Sequence, residues 1–125
     1  MLDVPNFRTD DKERLLEQIR RMTDLRFRLA AHLMRSRPWD LFWMVEMGPD
    51  RMHHGFWRYG APDHRLHEPG HPYESAIADY YCYVDGRIGE LLDLAPPETS
   101  VMVVSDHGAK TLTGAISMND WLRRE

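Results

Sequence analysis

The chain has 125 residues, with 16 Lys and Arg against 20 Asp and Glu for a formal net charge of −4, and 42% of it is hydrophobic. That apolar share, beside 29% charged residues, excludes disordered, collagen-like and low-complexity classes. A pI near 5.9 lacks the basic excess of a nucleic-acid binder, so no nucleic-acid partner is expected.

The N-terminus, Met1-Leu-Asp-Val-Pro-Asn6, has neither the basic nor the apolar region of a signal peptide. No apolar run approaches the ~18 residues of a membrane span, so a soluble, cytoplasmic protein without a membrane partner is expected. Asp10-Asp-Lys-Glu13 then offers an N-cap with Glu three residues on, and Leu15, Ile19, Met22, Leu29 and Leu33 recur at helical spacing. This predicts an amphipathic helix of about 25 residues, stopped before Pro38. Arg20, Arg21, Arg26, Arg28, Arg35 and Arg37 give it a basic outer face, which reads as a solvated helix surface, with contact to an anionic partner as the alternative.

Asp40-Leu-Phe-Trp-Met-Val-Glu-Met47, closed by Gly48-Pro49, is an unbroken apolar run that predicts a strand buried on both faces. The stretch from Gly48 to Tyr73 is rich in Gly, Pro and His and long for a connection, which marks it as a functional loop. It holds His53, His54, His64, His67 and His71, five of the chain's seven histidines. From about Tyr73 or Glu74, Ile77, Tyr81, Val84, Ile88 and Leu91 predict a second helix that ends at Pro96-Pro97. Gly86 and Gly89 either weaken it by roughly 1 kcal/mol each or mark close packing. Cys82, the single cysteine, falls inside this pattern and is expected to be a buried thiol. Val101-Met-Val-Val-Ser105 predicts a second strand, and Ser117 an N-cap for a last helix from Met118 to Glu125.

Strand, helix, strand in that order implies parallel strands joined by a right-handed crossover with flanking helices, an α/β fold. Two strands are fewer than a sheet normally has. Residues 1–125 are therefore expected to be a single partial α/β domain of a larger protein.

Two pairs of residues carry chemistry. Asp50 and His54 are four apart, so a helix begun after Pro49 projects both from one face, where a carboxylate and an imidazole can grip one divalent ion. Asp50 as a plain helix cap is the competing reading. Asp106 and His107 follow the second predicted strand, on a turn where Gly108 permits an unusual backbone path or a close approach. The competing reading there is a turn cap and a surface histidine. The carboxyl ends of parallel strands share one edge, so the four side chains are expected to converge. Mixed carboxylate and imidazole donors suit zinc or manganese better than magnesium. Four ligands could close one structural site, or two pairs could hold two ions roughly 4 Å apart around a phosphoryl group.

His53 beside the first pair and Glu46 at the rim of the first strand are candidates to orient a ligand by hydrogen bond, with a plain surface position as the alternative for each. His64, His67 and His71 read as loop residues. Phe56, Trp57 and Tyr59 read as core, with stacking on a nucleobase as the alternative.

These residues carry a resemblance. Asp50-Arg-Met-His-His-Gly-Phe-Trp57, Tyr80-Tyr-Cys-Tyr-Val-Asp-Gly-Arg-Ile-Gly-Glu-Leu-Leu92, Val103-Val-Ser-Asp-His-Gly108 and Ile116-Ser-Met-Asn-Asp-Trp-Leu122 resemble, in order, segments of the type I phosphodiesterase/nucleotide pyrophosphatase family of the alkaline phosphatase superfamily. The resemblance covers most of the chain from about Asp40. It implies an α/β/α sandwich with two divalent ions, usually zinc, that hydrolyses phosphodiester or nucleotide pyrophosphate bonds in small-molecule substrates. It implies Asp50 and His54 as ligands of one ion and Asp106 and His107 as ligands of the other. The family's Thr or Ser nucleophile and its further Asp and His ligands match nothing here, so they and the remainder of the catalytic domain are expected outside this chain. Half of each metal site then predicts weak metal binding and little turnover by the chain alone. The same ligands also serve phosphomutases and sulfatases of the superfamily, and a non-catalytic metal-binding or interaction fragment is the alternative from another class.

Overall fold

Asp11 and the apolar repeat behind it set the longest element. In the computed structural model, which describes residues 3–124, Asp11 caps helix α1 (Lys12–Ser36) by accepting from the Arg14 N–H at 3.2 Å. The helix turns Leu15, Ile19, Met22, Thr23, Phe27 and Ala30 inward. Leu29 and Leu33, expected in that stripe, are 55% and 40% exposed. The basic residues lie outside it as expected, except that Arg26 is half-buried and donates to the Val45 carbonyl.

Helix α2 (Gly48–Gly60) occupies the first half of the stretch expected to be a loop. Pro49 sits in its first turn, where a missing N–H leaves no intrahelical bond unmade. Helix α3 (Ala76–Leu92) turns Ala76, Tyr80 and Val84 inward. Cys82 and Tyr81 are exposed, contrary to expectation, because positions one and two residues beyond Tyr80 rotate off its inward face. Added Cβ atoms at Gly86 and Gly89 would meet nothing within 4 Å, so these glycines loosen α3 and serve no packing. A short helix α4 (Met118–Leu122) starts where Ser117 Oγ accepts from the Asp120 N–H at 3.4 Å. Glu125, expected in that last helix, lies outside the described residues, as do Met1 and Leu2.

Helices α1, α2 and α3 pack on one another, and Leu15, Ile19, Met22, Met52, Phe56 and Tyr80 meet at their centre, none more than 1% exposed. Full burial of an aliphatic or Phe side chain is worth roughly 1.5–3 kcal/mol. Two close approaches depend on glycine. A Cβ at Gly55 would stand 2.8 Å from Leu15 Cδ2, and one at Gly48 only 1.6 Å from the Tyr80 hydroxyl oxygen. A polar knot crosses this core: the Thr23 hydroxyl lies 2.6 Å from that of Tyr80 and 3.0 Å from Glu46 Oε1. Glu46 Oε1 also accepts from the Gly48 N–H at 2.8 Å, which fixes the start of α2 against α1 and α3.

No strand forms among the described residues. The expected α/β fold, with parallel strands and flanking helices as part of an α/β/α sandwich, is therefore corrected to an all-helical arrangement. A strand exists through hydrogen bonds to a neighbour, and neither 40–47 nor 101–105 acquires such a ladder. Val101, Met102, Val103 and Val104 are 56–85% exposed. In residues 40–47, Leu41, Trp43 and Val45 are exposed while Phe42, Met44 and Glu46 are partly covered, so burial alternates without pairing. An apolar run states that a segment could be buried and does not supply the partner that would bury it. Among the described residues no helix is long and apolar enough to cross a membrane.

Candidate functional site

Asp50 lies in the first turn of α2, where a carboxylate opposes the positive end of the helix dipole, and His54 follows one turn later. His54 Nε2 stands 3.5 Å from Asp50 Oδ1. The chain returns to this point 57 residues on: His107 Nε2 is 3.9 Å from the same Oδ1 and 3.8 Å from Asp106 Oδ1. Asp50, His54 and His107 are thus brought together on one oxygen, and Asp106 joins through His107. The site is open, with His54 and His107 side chains 51% and 61% exposed and Asp106 90% exposed.

His107 is held by its own backbone. Its carbonyl accepts from Ser105 Oγ at 2.5 Å, and its Nδ1 lies 2.9 Å from the Gly108 carbonyl. A carbonyl only accepts, so Nδ1 carries the proton and Nε2 is the nitrogen turned toward the carboxylates. The bond to Gly108 first, and Asp106 second, raise the imidazole above its ordinary pKa. Gly108 itself has a negative φ and open space where a Cβ would stand, so it supplies a carbonyl and not the special backbone path expected of it.

The segment that carries His107 is tethered at Thr111, a residue without any mark in the sequence. Its hydroxyl accepts from Trp57 Nε1 at 2.9 Å and donates to Asp63 Oδ1 at 2.8 Å, and it is only 8% exposed. Trp57 on α2 therefore acts as an anchor, while Phe56 and Tyr59 are core, as expected. A buried threonine between a Trp and an Asp from distant positions leaves no local pattern to read.

A second missed residue is Arg51. Its guanidinium engages Asp3 twice, Nε to Oδ1 at 2.9 Å and Nη2 to Oδ2 at 2.6 Å, and reaches Asp50 Oδ2 through Nη1 at 2.5 Å. The hydrogen bond from Arg51 holds the Asp3 carboxyl below its ordinary range.

His53 and Glu46, the candidates to orient a ligand, have these partners. His53 lies with Nε2 3.3 Å from the Tyr81 hydroxyl and edge-on to Trp57, and burial lowers its pKa. Glu46 serves the knot at the start of α2, and its Oε2 is buried without a hydrogen bond. His64, His67 and His71 make loop contacts: His64 Nδ1 accepts from the Leu66 N–H, His67 Nδ1 lies by the Arg58 carbonyl, and His71 stacks on Tyr59.

Carboxylate and imidazole donors around Asp50 Oδ1 are chemically suited to a zinc-like ion, and the proton on His107 Nδ1 leaves Nε2 as the donor atom. Among the described residues, though, no three His, Cys, Asp or Glu side chains form a set that could hold a metal ion. The donors fit by type and by pairs, and fall short in number.

The family model described as type I phosphodiesterase / nucleotide pyrophosphatase matches residues 3–125. No curated protein and no solved structure matches the chain.

Proposed function

Because the chain belongs to the type I phosphodiesterase/nucleotide pyrophosphatase family, we propose that it contributes ligands to a metal-dependent centre that hydrolyses phosphodiester or nucleotide pyrophosphate bonds. The observation that carries this reading is the convergence of His54 and His107 on Asp50 Oδ1, 3.5 and 3.9 Å away. Asp50 and His54 would hold one ion and Asp106 and His107 the other, with zinc preferred and manganese second. Bound there, divalent ions supply Lewis-acid stabilisation of a phosphoryl group. The chain's own residues present the donors: α2 holds Asp50 and His54 on one face, the Gly108 carbonyl fixes the His107 tautomer, and Thr111 tethers the His107 segment to α2.

Two donors per ion are one short of the three typical of catalytic zinc. The missing ligands and the nucleophile would come from outside this chain, and the chain alone would bind metal weakly and turn over little. Equilibrium dialysis against zinc and against manganese, followed by elemental analysis, tests the reading. Bound zinc in the wild-type chain that falls at least tenfold in Asp50→Ala supports it, and equal metal content in both proteins sinks it.

A further inference from the structure

Arg51 stands beside the candidate ligands without being one. All three nitrogens of its guanidinium are committed, two to Asp3 and one to Asp50 Oδ2. Its side chain is only 12% exposed, and it lies over the Phe7 ring with its central carbon 4.5 Å from the centroid. The segment supplying these partners is pinned to the fold. Val4 is buried at 1% exposure, and the chain then turns at Asn6, whose φ of 56° lies in the left-handed region that Asn tolerates better than most residues. That turn brings Phe7 back over Arg51 and sets its ring 5.3 Å from that of His54.

We propose that Arg51, clamped by Asp3, is a positioning residue that decides which oxygen of Asp50 faces His54 and His107. With Oδ2 held by Nη1, rotation of the carboxylate is blocked, and Oδ1 is left 3.5 Å from His54 Nε2 and 3.9 Å from His107 Nε2. Only an arginine can do this while also gripping Asp3 by two parallel bonds, because the planar fork has donors on separate edges and an ammonium is a point charge. Asp3 has a second effect. A guanidinium alone beside a cation site would repel the cation, whereas two carboxylates against one guanidinium leave the locality negative. The clamp adds little to stability, since ion pairs with an exposed partner are worth about 0–1 kcal/mol, and Asp3 is 49% exposed. Its effect is orientation.

This inference rests on the metal reading of Asp50, so the test separates the two. Wild type, Asp3→Asn, Arg51→Lys and a control, Arg28→Lys on the exposed face of α1, are compared for zinc dissociation constant by chelator competition and for histidine ring ¹⁵N shifts without metal. Residues that orient metal ligands typically change affinity by about 10–100-fold. Asp3→Asn and Arg51→Lys are expected to weaken zinc about tenfold or more and to move the His54 and His107 ring signals, with Arg28→Lys like wild type. Affinities within twofold of wild type and unmoved ring signals overturn the proposal. Should wild type bind no zinc, the metal reading fails by itself, and the ring signals alone decide: moved in both variants, Arg51 positions Asp50, and unmoved, it does not. Asp3→Asn, at a half-exposed position, keeps the test open if Arg51→Lys loses helix content.

Discussion

His107 Nε2 lies 3.9 Å from Asp50 Oδ1 across 57 residues of sequence, on a segment that forms no helix or strand. Nothing in the backbone of residues 101–110 holds that approach, since no backbone hydrogen bond joins the segment to the helices. The tether is a side-chain chain, Trp57 to Thr111 to Asp63.

Thr111→Val should therefore act at a distance. Removing the hydroxyl leaves the half-buried Trp57 Nε1–H without its acceptor, at a cost of about 1–3 kcal/mol in urea unfolding. It should also free the His107 segment, seen as loss of any nuclear Overhauser contact between the His107 and His54 rings. Retention of that contact in Thr111→Val would show that something else holds the segment.

Two glycines separate close approach from mere flexibility. Gly48→Ala places a methyl where the Tyr80 hydroxyl already sits, 1.6 Å away, with Glu46 Oε1 only 2.7 Å away as well. It should cost about 3 kcal/mol, at the upper end for overpacking. Gly86→Ala in α3 meets nothing within 4 Å and should gain roughly 0.5–1 kcal/mol from helix propensity. Denaturant midpoints that move in the same direction for both would contradict the packing described.

Stability should fall in strong alkali through two tyrosines. Burial, and then the hydrogen bond to Asp24, push Tyr83 up to about 12 from its ordinary 10.0. Burial raises Tyr80 as well. A raised pKa means that the folded state keeps a proton the unfolded chain would release. The contribution is fully present below pH 10 and is lost as pH rises toward 12. Unfolding midpoints measured from pH 9 to 12 should drop in wild type and drop less steeply in Tyr83→Phe. Equal slopes would remove Tyr83 from the account.

Much of the local structure was legible in the residues. The Asp-Asp-Lys-Glu start and Pro38 bound α1 to within a residue or two, because caps and prolines act through the backbone next to them. Pro49 likewise marks the start of α2, which puts Asp50 and His54 on one face. What failed was the partner of each apolar run. The composition of residues 40–47 and 101–105 predicts strands, yet a strand is a relation between two segments and composition describes one. The expected convergence of Asp50, His54, Asp106 and His107 depends on strands that do not form. The structure sets His54 and His107 3.5 and 3.9 Å from Asp50 Oδ1, and the neighbouring Thr111 and Arg51 make contacts to residues 48 or 54 positions away that no local pattern announces.

Asp50, His54, Asp106 and His107 are proposed as metal ligands. The most direct test is anomalous diffraction at the zinc edge from crystals of the chain equilibrated with zinc. Density bonded at about 2.0–2.2 Å to Asp50 and His54 and to Asp106 and His107 is expected. Zinc found only on His64, His67 or His71, or none within reach of Asp50, would contradict it.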